Sequence, residues 1–238
     1  MESERRRWAP GRALTLCVLP LLAVLIGLGV WQLARGADKA RLQGLQLDRL
    51  SALPAPPPGE LDDVDFLRVR ITGTYDYGKY FLVDNQVLNG RAGYWVVQSF
   101  QADDGRRWLV NRGWVAAGPE RAQLPEIPQT VAAVEFVGVC WPDLGLVPML
   151  TEEVWQPGWP KRVPRMNLAR MAQAVGAAPV QVRLEVGQPG RLGALPVSLG
   201  MDAPRHRGYA VQWFGLALIL VAGYVLHGYR PSGPDERG

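Results

Sequence analysis

The stretch ALTLCVLPLLAVLIGLGVWQLA, Ala13 to Ala34, runs 22 residues without a charge between Arg12 and Arg35. A bilayer core of about 30 Å is crossed by about 20 helical residues, so this run predicts a spanning helix. Pro20, Gly27 and Gly29 are tolerated inside a lipid-embedded helix. Arg5, Arg6, Arg7 and Arg12 would also suit the basic start of a secretory signal. The apolar run is longer than a signal core, however, and Leu33-Ala34-Arg35-Gly36 lacks a small-residue cleavage pattern. An uncleaved anchor is expected.

Working outward, a second charge-free run covers the 18 residues Tyr209 to Leu226, with Arg205 and Arg207 before it and Arg230 after it. Tyr209, Trp213, Tyr224 and Tyr229 lie near its ends, as Trp31 does in the first run, where amphipathic rings favour the headgroup layer. A second span is expected. Two spans put both termini on one side, and the N-terminal arginine cluster argues for the cytoplasm. The expected layout is a cytoplasmic tail (1–12), a helix (13–34), an outward β-rich domain (35–208), a helix (209–226) and a second cytoplasmic tail (227–238).

The averages of the 238 residues hide this arrangement: 48% apolar, 20% charged, net charge +4, pI 9.3 and mean hydropathy −0.03. A basic chain would ordinarily suggest nucleic acid. Here much of the excess flanks the apolar runs, so anionic lipid headgroups are the simpler partner and no nucleic acid is expected. Two cysteines, Cys17 and Cys140, exclude a disulfide scaffold and a Cys-only zinc site. Both are expected to stay unpaired.

Between the runs, Leu42, Leu45, Leu47, Leu50 and Leu53 recur at helical spacing over Asp38 to Leu53, and Pro54 to Gly59 forms a stiff connector. Phe66 to Asp76 alternates as a strand, Tyr77-Gly78-Lys79 reads as a turn, and Tyr80 to Val83 as the next strand. Asn89-Gly90 is a strong hairpin signal before a strand over Tyr94 to Phe100, and Asp103-Asp104-Gly105 a second turn before Arg107 to Val115. Thr130 to Cys140 and Val180 to Val186 read as later strands, with one short helix over Met166 to Val175. The fold expected is an α+β membrane protein: two transmembrane helices flanking a mainly antiparallel β domain, a small barrel or a sandwich, with short helices.

The chemistry on offer is sparse. No CxxC, Walker loop, GxSxG or HExxH occurs, and the two histidines, His206 and His227, stand about 30 Å apart along a helix. A Ser-His-Asp triad cannot form in the β segment, so no enzyme is expected. Asp62, Asp63 and Asp65, and the pair Asp103 and Asp104, read as solvated loops. The methionines Met149, Met166, Met171 and Met201 show no copper-ligand spacing. A neutral imidazole is a good axial ligand for haem iron. On a helix starting near Pro204, Tyr209, Ala210 and Trp213 follow His206 at i+3, i+4 and i+7, and Arg205 and Arg207 would suit propionates. An interfacial histidine without a ligand remains the alternative.

Leu28-Gly29-Val30-Trp31-Gln32-Leu33 with Lys39 beyond it, Gly73-Thr74-Tyr75-Asp76, Leu82-Val83-Asp84-Asn85, Gly90-Arg91-Ala92-Gly93-Tyr94, Leu109 to Val115 (LVNRGWV) and His206 to Gly215 (HRGYAVQWFG) occur in that order. Together they resemble the surfeit-locus protein family of cytochrome c oxidase assembly factors, in a bacterial form. The resemblance covers nearly the whole chain. It implies a multi-pass protein of the cell inner membrane with a periplasmic domain. The role implied is chaperone-like maturation of the haem a-containing subunit I of the respiratory oxidase, alongside the haem a synthesis machinery. It implies haem a as a transient cofactor and matches His206 to the family's haem-associated histidine; the helix spacing adds Arg205, Arg207, Tyr209 and Trp213 around it as candidates. Asn85-Gln86 departs from the usual Asn-Arg, and Gln98-Ser99-Phe100 from the usual Thr-Pro. Gly73, Gly93 and Gly113 can serve bulges or close strand approach, Trp114 can be core or contact, and Arg112 can be structural or meet a propionate or partner. The other functional readings are a haem-free scaffold for an oxidase intermediate and an enzyme acting on haem or lipid.

Overall fold

The structure, a computed structural model, describes residues 7–8, 10–120, 123–128, 132–143, 145, 154–196 and 203–230. Its elements are β1 (Arg7–Trp8), α1 (Arg12–Ser51), β2 (Arg68–Leu88), β3 (Arg91–Ala102), β4 (Arg107–Ala116), β5 (Val134–Trp141), β6 (Lys161–Val163), α2 (Leu168–Val175), β7 (Gln181–Leu184), α3 (Ala203–Gly228) and β8 (Tyr229–Arg230). The chain divides into two units, Met1–Gly44 with Ser198–Gly238, and Leu45–Val197.

In the first unit, α1 and α3 bury mostly small residues: Gly29 and Gly36 beside Val18 and Leu25 on α1, and Ala203, Ala210 and Ala217 on α3. The alanines repeat every seventh residue, which keeps them on one stripe. Small residues let two helix backbones approach closely, as in helices packed within lipid. Cβ atoms built at Gly29 would lie 2.6 Å from the Phe214 ring. Toward the ends, Thr15 Oγ1 and Tyr224 Oη are 2.7 Å apart. Trp8 meets Tyr224 edge-on, and β1 pairs antiparallel with β8. Leu16, Leu19, Val24, Val30, Val211, Leu218 and Ile219 are exposed. Both helices are long and apolar enough to cross a membrane, and little of either is buried, unlike the core helix of a soluble protein. The helical spacing over Asp38 to Leu53 belongs to α1 itself, which continues to Ser51. No proline interrupts residues 21–53, and one helical glycine costs only about 1 kcal/mol, so the helix runs on until Pro54 approaches.

The second unit is built on a mixed six-stranded sheet in the order β3-β4-β7-β5-β2-β6, in which β2 also pairs with β3. The pairings β2–β3, β3–β4, β2–β5 and β5–β7 are antiparallel. Those of β2 with β6 and of β4 with β7 are parallel. Strand β2 serves two neighbours because its first part, Arg68 to Gly73, pairs with β5 while later residues pair with β3. Gly73 pairs with both, and a Cβ there would collide with the Gln101 carbonyl oxygen.

The turn expected at Tyr77-Gly78-Lys79 is a bulge within β2: the register passes from Tyr75↔Phe100 to Tyr80↔Gln98. Gly78 takes φ 73° there, and the Gln98 amide donates to the Asp76 carbonyl at 3.0 Å. Asn89 and Gly90, at φ 49° and 75°, make the expected tight hairpin, Leu88 facing Arg91. Gly105 turns β3 into β4. The strand expected from Thr130 is seen from Val134, its first two residues lying outside the described ones. Helix α2 is capped by the Asn167 side chain and closed by Gly176 in the left-handed region. Tyr75, Phe100 and Phe136 fill one side of the sheet, and Phe81, Leu109, Leu168 and Met171 another cluster under α2.

Candidate functional site

Pro204 lies in the first turn of α3, as its fixed φ favours, and His206 follows within that turn. The ring is half-buried, and Nδ1 lies 2.7 Å from Oε1 of Gln32 on α1. Gly36, one turn further along α1, makes room for this approach: a Cβ there would stand 3.3 Å from the His206 Cβ. An amide oxygen only accepts, so a hydrogen bond here has Nδ1–H as the donor, and in the neutral form of the ring that leaves the lone pair on Nε2. That is the tautomer of a metal-ligating histidine whose far nitrogen is oriented by a second residue. The arrangement fits an axial ligand of haem iron. Among the described residues, no cluster of three or more His, Cys, Asp or Glu side chains is placed to hold a metal ion.

Of the residues expected around His206, Arg205 and Arg207 are exposed on either side of it and Tyr209 is 45% exposed. Trp213 is half-buried, and Ala210 is buried. Gln32 was not singled out as a site residue. Its signal was a lone amide at the end of an apolar run, where a polar side chain needs a partner.

Arg112 proves to be structural. It is 1% exposed; Nε donates to the Gly190 carbonyl at 2.7 Å, Nη1 to Gln98 Oε1 at 2.6 Å and Nη2 to the Pro128 carbonyl at 2.8 Å. Its guanidinium also lies 5.0 Å from the Tyr75 ring centroid. Trp114 is half-buried, its indole N–H donating to the Gln86 carbonyl at 2.9 Å. Cys17 and Cys140 are both free thiols.

Residues 19–218 match the profile of the SURF1 family. The chain belongs to the SURF1 family. This SURF1-family chain is 32% identical over 132 residues to a SURF1-like protein of Dictyostelium discoideum, covering 50% of this chain and 47% of that protein. It is 30% identical over 223 residues to Surfeit locus protein 1 of Takifugu rubripes, covering 84% and 90%. Over 122 residues it is 26% identical to the cytochrome oxidase assembly protein SHY1 of Saccharomyces cerevisiae, covering 48% and 31%. The alignment thus spans about half of the first relative and nearly all of the second. The family match includes both Gln32 and His206.

Proposed function

We propose that this SURF1-family chain is a membrane-anchored assembly factor for the haem a-bearing subunit I of cytochrome c oxidase, binding haem a through His206 and handing it over. The observation that supports the reading is the 2.7 Å contact from His206 Nδ1 to Gln32 Oε1, which keeps Nε2 out of that contact. The name of the yeast relative, a cytochrome oxidase assembly protein, supports the assembly role. Haem a would supply an iron centre, and His206 would hold it through its imidazole. Arg205 and Arg207 stand beside His206 as cations for its propionates, and Tyr209 and Trp213 offer ring surface to the macrocycle.

In this reading α1 and α3 cross the bacterial inner membrane, both termini are cytoplasmic and the sheet unit is periplasmic, next to the haem a synthesis machinery. The role is non-catalytic. The test is the optical spectrum of the purified full chain after co-production with haem a synthesis. Wild type is expected to carry a haem a spectrum that His206→Ala loses. Equal haem content in the two proteins overturns the ligand role and leaves a haem-free scaffold for an oxidase intermediate.

A further inference from the structure

The sheet unit contains a second buried arginine whose surroundings differ from those of Arg112. Arg183 lies on β7 and is 8% exposed. Its guanidinium carbon is 3.9 Å from the Trp141 ring centroid and 5.3 Å from that of Trp95. Nη1 donates to the Pro196 carbonyl at 2.9 Å, but Nε is buried without an acceptor among the described residues. Burial, with Arg191 adding repulsion, pulls its pKa down to about 9. No carboxylate among the described residues forms an ion pair with it.

Strand geometry gives Arg183 companions. Gln181, two residues earlier, lies on the same face of β7, and its cross-strand partner on β5 is Trp141. Gln181 is 2% exposed and Trp141 6%. Gln181 Nε2 and Trp141 Nε1 are also buried without an acceptor among the described residues. All three residues line one cavity of about 470 Å³, together with Trp95, Met166 and Leu168. Buried donors are normally paired, and a buried guanidinium without an anion is the least favourable case of all. Three residues that carry such donors thus line one cavity of ligand size, which points to an acceptor that arrives from outside.

We propose that this cavity binds a small organic carboxylate, its oxygens taken by Arg183, Gln181 and Trp141 and its apolar body lying against Trp95, Met166 and Leu168. A carboxylate matches the planar edge of a guanidinium. The largely apolar walls suit a carried hydrocarbon or ring, and the carboxylates of Asp84 and Asp143, which also line the cavity, disfavour a doubly charged phosphate. The site is separate from His206 and stands whether or not haem binds there.

The test is isothermal titration of the full chain in detergent with 3-phenylpropionate, 3-phenylpropanol and inorganic phosphate. The acid is expected to bind saturably, at least tenfold tighter than the alcohol or phosphate. Arg183→Met and Gln181→Met are each expected to weaken it at least tenfold, whereas His206→Ala leaves it unchanged. Gln181→Met removes a donor that has no acceptor, so its melting temperature should not fall, and it decides the question if Arg183→Met fails to fold. The proposal is overturned by absent saturation with the acid, by equal affinity for the alcohol, by tighter phosphate binding, by unchanged affinity in Gln181→Met, or by loss of affinity in His206→Ala.

Discussion

The edge of the Phe214 ring on α3 occupies the space that a side chain at Gly29 on α1 would need, with ring carbons 2.6 and 2.7 Å from the position of its Cβ. Replacing a helical glycine by a larger residue gains up to about 1 kcal/mol in helix propensity. Overpacking a close contact costs about 1–3 kcal/mol, so the clash wins. Gly29→Leu is therefore expected to destabilise the helix pair by about 1–2 kcal/mol by this balance, and adding Phe214→Ala to restore much of it. Unfolding of the full chain by SDS in mixed micelles measures both. Additive effects of the two substitutions would show that the ring does not set the helix spacing.

Gln32 Oε1 lies 2.7 Å from His206 Nδ1, where it orients the ring with Nε2 on the far side. Loss of such an orienting partner typically weakens a metal site by about 10–100-fold. Gln32→Leu is expected to lower haem a retention by about tenfold on that scale, without the complete loss expected of His206→Ala. Retention equal to wild type would remove Gln32 from the site.

Arg112 satisfies the Gly190 and Pro128 carbonyls and the Gln98 side chain at once. Arg112→Met leaves these buried acceptors without donors, at about 1–3 kcal/mol each, and should cost the sheet unit about 3–5 kcal/mol. Chemical denaturation followed by tryptophan fluorescence reads the loss. A change below about 1 kcal/mol, the worth of one ordinary hydrogen bond, would contradict the structural role.

Burial, with the Asp65 charge adding to it, pushes the Cys140 thiol from an ordinary 9.0 up to about 12. Burial likewise pushes the Tyr75 hydroxyl from 10.0 to about 12, against the opposing charge of Arg112. The folded chain thus keeps both protons where the unfolded chain releases them. Stability is fully present below pH 9 and falls as pH rises toward 12, by about 1.4 kcal/mol per pH unit for each group. Denaturation midpoints at pH 8, 9.5 and 11 should show this fall. Cys140→Ala removes the part that begins at pH 9 and Tyr75→Phe the part that begins at pH 10. Identical slopes in the variants would assign the alkaline loss to other groups.

The proposed orientation has a direct readout. An alkaline phosphatase reporter inserted at Asp104-Gly105, the turn between β3 and β4, is expected to be active, and one fused after Gly238 inactive. The reverse pattern would invert the topology.

Local rules made much of the fold readable. A charge-free run of 22 residues, the Asn89-Gly90 hairpin and the helix that Asn167 caps each depend on neighbours a few residues apart. One feature was misread and one went unseen for the same reason. Gly78 looked like the centre of a turn because a bulge and a turn both want a left-handed residue, and only the Phe100-to-Gln98 register on β3 separates them. Strand β6 is three residues long and parallel to β2, too short to carry an alternation.

The sequence by itself determined the two apolar helices, the β-rich segment between them and the family, because charge, periodicity and motif are properties of consecutive residues. Only the tertiary structure decided what each polar side chain meets. Gln32 and His206 are 174 positions apart, and their contact requires two helices to pack through glycine and alanine. Arg112 and Arg183 both lie in strands of the same sheet, yet one is satisfied on all three nitrogens, while the other lines a cavity and has no acceptor for its Nε among the described residues. That difference depends on which carbonyls the distant segments around Gly190, Pro128 and Pro196 bring near. Hydrogen bonds act over about 3 Å, so pairing is set by the packed chain and not by the order of its residues.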